Sequence, residues 1–339
     1  MMLKTPRWWY ARRPAPGRVV RALLTPLSWL WAAVTARRLR KAVPEDVGGP
    51  VISVGNLTMG GSGKTPVARE IMRLLRQDGL SVHGLSRGHG GRERGPLRVD
   101  PALHSALDVG DEPLMLAHDG PQWIARDRAA GARSALAAGA GIIVMDDGHQ
   151  NPTLRKALSL VVVDGETRDG EWPFGDGRVF PAGPMREPLK AGLARADGVV
   201  ILLPQGLERP DPELEALFAP LPVFIARLRA QEAPPEGPLV GFAGIAKPWR
   251  VERDLRAAGA DLRNFVPLAD HATVSEASFA HLVACARDEG ARLVTTEKDW
   301  VRLSPARRAQ VTPWRVRAVL ADEARFLVFL RDRLGQSRR

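Results

Sequence analysis

The sequence predicts an α/β fold in which a parallel sheet flanked by helices is followed by a second, smaller α/β domain and preceded by a basic helical segment. Three features of the chain lead there. Residues 51–54 form a short β-branched run that enters a glycine-rich segment and opens onto a helical pattern with Val67, Ile71 and Leu74 on one face. Residues 141–145, 158–163 and 198–203 are continuous apolar runs, as expected of strands buried on both faces of a parallel sheet. Beyond the Pro/Gly-rich stretch 231–238 the alternation of strand and helix starts again.

The N-terminal 44 residues stand apart by charge. Of the net +11, ten units come from Lys4, Arg7, Arg12, Arg13, Arg18, Arg21, Arg37, Arg38, Arg40 and Lys41, with no acid among them, and the rest of the 339-residue chain is close to neutral. A nucleic-acid enzyme would spread its basic surface over the folded domain, so this asymmetry argues against nucleic acid. Residues 22–36 are uncharged, but 15 residues with Pro26 among them fall short of the roughly 20 that span a bilayer. Four of the nine tryptophans (Trp8, Trp9, Trp29, Trp31) lie in this segment, and tryptophan with Arg/Lys suits a helix lying among lipid headgroups. An interfacial helix is therefore expected; a helix packed on the core is the alternative. A signal-peptide reading of Val34-Thr35-Ala36 conflicts with the basic residues that follow and with the cytosolic nucleotide that the glycine-rich loop implies. The single cysteine, Cys285, excludes an intrachain disulfide and a thiolate metal cluster.

The expected divisions are 1–44 for membrane contact, 45–222 for a P-loop NTPase-type sheet, and 223–339 for a smaller domain. In the first sheet, Gly60, Gly61, Ser62 and Gly63 precede Lys64 and Thr65. Strand, loop and helix in this order gather backbone N–H groups around an anion, while the lysine and hydroxyl reach the outer phosphates and Mg²⁺. Thr58 stands where the pattern G-x-x-x-x-G-K-S/T has its first glycine. Residues 80–86 read as a second strand ending in Ser86-Arg87-Gly88-His89, a turn with a cation. Asp111 and Glu112 open a helix after Val109-Gly110, where capping alone accounts for an acid. A short strand at 121–124 and an Ala-rich helix at 126–138 carry Arg126, Arg128 and Arg133. The apolar run 141–145 ends in Asp146-Asp147-Gly148-His149-Gln150; acids at a strand's C-terminal end suit a Mg²⁺ carboxylate, and Asp-Gly is also a turn signal. The loop 180–189 contains Arg186 and Glu187, either functional or an exposed ion pair. Residues 204–222 and 231–238 read as inter-domain connections. Strands at 239–242, 264–266, 292–295 and 315–320 then alternate with helices at 248–258, 275–288, after Asp299, and at 323–334.

Together S-V-G-N-L-T-M-G-G-S-G-K-T-P from Ser53, S-R-G-x-G at Ser86, V-G-D-E-P at Val109, D-D-G-H-Q at Asp146, G-P-M-R-E-P at Gly183, A-D-H at Ala269 and V-T-T-E-K-D at Val294 resemble the tetraacyldisaccharide 4'-kinase family of lipid A biosynthesis. The motifs run in order from residue 51 to residue 299. The chain departs from the family's pattern at His149 and His89, where aromatic residues are usual, which bears on packing near the nucleotide.

The resemblance implies transfer of the ATP γ-phosphoryl group to the 4'-hydroxyl of a tetraacylated glucosamine disaccharide 1-phosphate. It places the enzyme on the cytoplasmic face of the inner membrane, with a P-loop domain hinged to a smaller one, and implies no protein partner. Lys64 would hold the β- and γ-phosphates, with Thr65 and Asp146 or Asp147 on Mg²⁺. By the resemblance Asp111 is the base and His271 orients it; the sequence alone favours a surface cap for His271, and only the resemblance reverses this. Arg186 and Glu187 resemble residues near the phosphates and metal, and Arg87 and Arg128 are candidates for the lipid's 1-phosphate. Two functions from other classes fit the sequence less well. A membrane-associated regulatory P-loop ATPase would carry a further lysine where Met59 stands. A nucleotide-dependent metallochaperone lacks a His/Cys cluster for its cargo.

Overall fold

The apolar runs become the centre of a nine-stranded sheet. The computed structural model describes residues 7–12, 17–270 and 274–336. In chain order the strands are β1 (Val51–Gly55), β2 (Val82–Ser86), β3 (Leu97–Arg98), β4 (Gln122–Ile124), β5 (Ile142–Asp146), β6 (Leu158–Asp164), β7 (Gly198–Leu203), β8 (Val223–Ala230), β9 (Pro238–Ala243), β10 (Asp261–Pro267), β11 (Arg292–Thr296), β12 (Val311–Trp314) and β13 (Val316–Leu320). The helices are α1 (Arg18–Lys41), α2 (Lys64–Gln77), α3 (Ala106–Val109), α4 (Asp111–Ala117), α5 (Arg128–Ala137), α6 (Leu189–Leu193), α7 (Pro212–Ala216), α8 (Pro248–Ala257), α9 (Glu276–Asp288), α10 (Glu297–Trp300), α11 (Pro305–Arg308) and α12 (Glu323–Gln336).

The large sheet has the order β13-β8-β7-β6-β1-β5-β2-β4-β3, parallel from β8 to β4 with an antiparallel strand at each edge. Strands β1, β5 and β7 are buried along their whole length. Helix α2 buries Val67, Ala68, Ile71, Met72, Leu74 and Leu75 in the same core as Ile52, Val54 and Val144, so the 3.6-residue period seen in the sequence becomes its packed face. Because β1 lies between β6 and β5, the loop leaving β1 and the acids ending β5 sit side by side at the C-terminal edge of the sheet, where ligands of parallel sheets bind.

The division expected at residue 222 falls elsewhere. β8 extends the large sheet next to β7, and β13 returns to pair antiparallel with β8, with Val316 opposite Ala230. Helix α12 sends Phe326, Leu330 and Leu334 into the core beneath α2 and β6. Residues 204–222, expected as a connection between domains, instead hold α7, and Leu214 and Phe218 are fully buried against β6 and β7. The second unit is thus an insertion, with a four-stranded parallel sheet of order β10-β9-β11-β12 covered by α8 and α9. Sequence periodicity identified β9, β10 and β11 but not β12, and the expected strand at 315–320 and the final helix belong to the first sheet.

Helix α1 is longer than its uncharged run. Its 24 residues pass through Pro26, and the stretch Val19–Lys41 is long and apolar enough to cross a membrane by length and composition. One stripe is docked along the protein: Arg21 is buried on Asp176 at 2.7 Å, Thr25 accepts from Arg178 at 3.0 Å, and Ser28 accepts from the Ala182 N–H at 3.0 Å. The outward stripe carries Val19, Leu23, Leu27, Leu30 and Val34, all more than half exposed. Polar inward and apolar outward is the reverse of a soluble protein's surface helix.

Candidate active site

The site is built on the turn from β1 into α2. Gly63 takes a left-handed conformation (φ 78°) as the residue before α2, and a side chain there would run into Leu202. Gly60 is also left-handed, at φ 88°. Thr58 lies outside this left-handed set, so the backbone does not require glycine there. Its carbonyl accepts from Asn56 Nδ2 at 2.8 Å and Arg186 Nε at 3.0 Å, tying the loop to the segment carrying Arg186.

Lys64 and Thr65 form the first turn of α2 and face the end of β5. The Thr65 hydroxyl donates to Asp146 Oδ2 at 2.7 Å, and Lys64 Nζ stands 3.7 Å from Asp147 Oδ1. Asp146 is 4% exposed. Burial, with the Glu112 charge adding to it, pushes its carboxyl up to about 7 against the pull of Lys64 and Thr65. Its other oxygen, Oδ1, is buried without a hydrogen-bond partner, as is Ser62 Oγ in the loop. Asp147 is held at φ 54°, in the left-handed region that aspartate tolerates better than most residues. Partial desolvation raises its carboxyl, but Lys64, Arg186 and Arg128 outweigh this and hold it below the usual carboxylate range. Arg186 Nη1 reaches Asp147 Oδ1 at 2.9 Å.

An orphaned carboxylate oxygen beside a hydroxyl and a lysine fits a divalent cation that shares its remaining ligands with phosphate and water. Mg²⁺ favours this way of binding over an all-protein cage.

The remaining candidates separate into groups. Asp111 opens α4 and is buried, and its Oδ2 accepts from Arg302 Nε at 2.9 Å and from Arg302 Nη2. Lys298 lies 3.9 Å from Asp111 and 2.8 Å from Glu112. Both cations come from the inserted unit, which among the described residues reaches Asp111 through Arg302 and Lys298. His271 lies outside the described residues. Arg302 carried no signal beyond being one arginine among many, whereas Lys298 sits in the E-K-D motif.

Glu187 was expected near the metal, yet both its oxygens are engaged by Arg195 at 2.6 and 2.7 Å, and Oε1 also accepts from Gln150 at 3.0 Å. That pairing ties the carboxylate to Arg195 and Gln150. Arg128 is 5% exposed, with Nη1 donating to the Ala125 carbonyl at 2.6 Å and Nε buried without a partner. Burial, and then the neighbouring charge of exposed Arg87, pulls its guanidinium down to about 10. His149 is a packing residue, bonded to Ser159 Oγ at 3.1 Å and the Gly192 carbonyl at 3.0 Å, and its Cβ fills the space against Gly55 where a side chain would otherwise go.

A glycine-rich loop with lysine and threonine at a helix N-terminus, facing paired acids on the adjacent parallel strand, defines a P-loop phosphotransferase. The family described as tetraacyldisaccharide-1-P 4'-kinase matches residues 20–335. A tetraacyldisaccharide 4'-kinase of Caulobacter vibrioides is 63% identical over 324 residues, covering 96% of this chain and 97% of the relative. One from Phenylobacterium zucineum is 64% identical over the same shares of both chains. Among solved structures, an "apo" form of LpxK from Aquifex aeolicus in complex with ATP aligns with a TM-score of 0.73 and 26% identity, covering 93% of this chain and 99% of that one. The chain belongs to the tetraacyldisaccharide 4'-kinase family. It is a kinase of lipid A biosynthesis that uses ATP and Mg²⁺.

Proposed function

We propose that this chain phosphorylates the 4'-hydroxyl of a tetraacyl disaccharide 1-phosphate at a membrane surface, with the chemistry centred on Lys64, Thr65, Asp146 and Asp111. The observation that carries the assignment is the Thr65–Asp146 pair, whose second carboxylate oxygen is buried and unsatisfied beside Lys64. Mg²⁺, when bound, neutralises charge on the β- and γ-phosphates. Thr65 and Asp146 would hold it, and Asp147, locked by Arg186, keeps Lys64 at the end of β5, where a bound nucleotide would take up the lysine's charge. Glu187 fixes Arg195 in our reading and is left out of the metal set.

Phosphoryl transfer through a loose transition state asks more for alignment than for a strong base. Asp111, oriented by Arg302 and by His271 after the A-D turn, receives the hydroxyl proton and aims the oxygen at the γ-phosphorus. The cations from the inserted unit complete this group, so closure of that unit assembles it. Arg87 and Arg128 form a pair of cations, one with an unsatisfied buried N–H, suited to the lipid's 1-phosphate.

We also read α1 as lying in the cytoplasmic face of the inner membrane rather than across it. Its inner stripe is bonded to the protein from Arg21 to Arg38, so a bilayer crossing would drag the loop 176–187 into hydrocarbon. A four-chain lipid has negligible free concentration in water, and an enzyme held at the interface meets it there.

Transfer of label from γ-labelled ATP to detergent-dispersed tetraacyl disaccharide 1-phosphate tests the assignment. Lys64→Ala should abolish transfer. Asp111→Asn should lower kcat by about 10²- to 10⁴-fold with ATP affinity kept. Unchanged kcat in Asp111→Asn would remove the base assignment.

A further inference from the structure

The N-terminal segment does more than face outward. Three of its side chains donate to backbone carbonyls in loops of the site: Tyr10 Oη to Met59 O at 2.5 Å, Trp31 Nε1 to Arg186 O at 3.0 Å, and Arg38 Nη2 to Gln150 O at 3.3 Å. Met59 immediately precedes Gly60, the first left-handed residue of the phosphate-binding loop, and a side chain at Gly60 would approach Tyr10 Oη to 3.2 Å. On its other side Met59 is held through its N–H to Pro184 O at 2.7 Å. The Tyr10 hydroxyl thus restrains the one carbonyl from which the glycine run swings.

Tyr10 is itself fixed. Its carbonyl accepts from the Trp172 N–H at 2.6 Å, Ala11 bridges Glu171, and Arg12 lies 4.3 Å over the Trp172 ring. Trp9 is buried beside Phe180, edge to face at 5.9 Å. From the inserted unit, Lys247 Nζ sits 5.1 Å over the Tyr10 ring and bonds Asp164 at 2.9 Å. Burial, with Asp164 and Glu171 nearby, raises the phenol well above its ordinary value, so it remains a donor throughout the physiological range.

We propose that Tyr10 is a positioning residue for the phosphate-binding loop, so that the docked N-terminal segment forms part of the nucleotide site as well as the membrane contact. A flexible glycine run loses conformational freedom when it wraps an anion, and a carbonyl already fixed lowers that cost. The inference rests on the assignment of residues 60–65 as the nucleotide loop.

The test uses the full chain in detergent, comparing wild type, Tyr10→Phe, Tyr10→Ala, Leu23→Ser/Leu27→Ser and Lys64→Ala. It reads ATP dissociation constants, separate KM values for ATP and lipid, thermal melting, and flotation with anionic phospholipid vesicles. Phenylalanine keeps the ring under Lys247 and deletes only the hydroxyl. Tyr10→Phe should weaken ATP binding and raise KM for ATP about three- to tenfold, the span of one hydrogen bond, with lipid KM and vesicle binding unchanged. The leucine pair should show the opposite pattern, and Tyr10→Ala should exceed Tyr10→Phe. ATP affinity unchanged in Tyr10→Phe, or a loss confined to lipid KM and vesicle binding, overturns the proposal. If Lys64→Ala also keeps wild-type ATP affinity, the loop assignment falls and takes the inference with it.

Discussion

His149 shows how one position can be structural within a catalytic motif. Burial, reinforced by Lys156 and Arg195, pushes its imidazole from the ordinary 6.5 down to about 3, so it is neutral in the fold. Below pH 6.5 the unfolded chain binds a proton that the folded chain refuses. Stability from this residue is therefore complete above pH 6.5 and declines toward pH 3, by at most about 1.4 kcal/mol per pH unit. His149→Phe should flatten the fall in melting temperature between pH 6.5 and 4.5, and equal slopes in the two proteins would count against it. At this scale the sequence was informative wherever chemistry restricts residue type. Lys64, Thr65 and Asp146 stand out because a phosphate loop and a strand-end acid leave few alternatives, and the fold brings the three together. Arg302 and Tyr10 were not, since their roles depend on contacts with Asp111, 191 residues away, and Met59, 49 residues away. Glu187 is the converse case, a residue selected by its motif whose carboxylate the fold gives to Arg195.

Among elements, α1 combines two surfaces. Leu23 and Leu27 are 74% and 53% exposed, and each leucine fully buried in lipid contributes about 1.5–3 kcal/mol. Leu23→Ser/Leu27→Ser should reduce binding to anionic vesicles by at least tenfold. Arg37, Arg40 and Lys41 at the helix C-terminus are exposed, and each cation near an anionic surface contributes about 1 kcal/mol that salt screens. Raising salt from about 0.1 to 0.5 M should release much of the remaining binding, measured by flotation. The composition of this segment forecast an interfacial helix. The docked stripe of Arg21, Thr25 and Ser28 is not legible in the sequence because polar residues on an apolar helix normally mark its solvent face.

For the whole molecule, the large core depends on the end of the chain. Phe326 is fully buried in the cluster with α2 and β6, stacked edge to face on Phe224 at 4.9 Å. Phe326→Ala should cost about 3–5 kcal/mol in chemical denaturation of the P-loop unit, although the residue lies beyond the insertion. A chain ended at residue 222 should aggregate, because β7, buried along its length, would become an open edge. The alternation of strand and helix groups β13 and α12 with their neighbours in the chain. Strand partners are chosen by geometry, here across 86 residues from Ala230 to Val316, which local periodicity does not register. The meeting of Ala230 and Val316 across the β8–β13 ladder has a consequence for protein engineering. Where an insertion leaves and re-enters on directly opposed residues, it can be excised and the scar closed with an Asn-Gly hairpin turn. Such a pruned chain would retain the phosphate loop and the strand-end acids while lacking Arg302 and Lys298. It would be a nucleotide receptor whose Asp111 has lost its cationic partners, against which the contribution of the excised unit could be weighed directly.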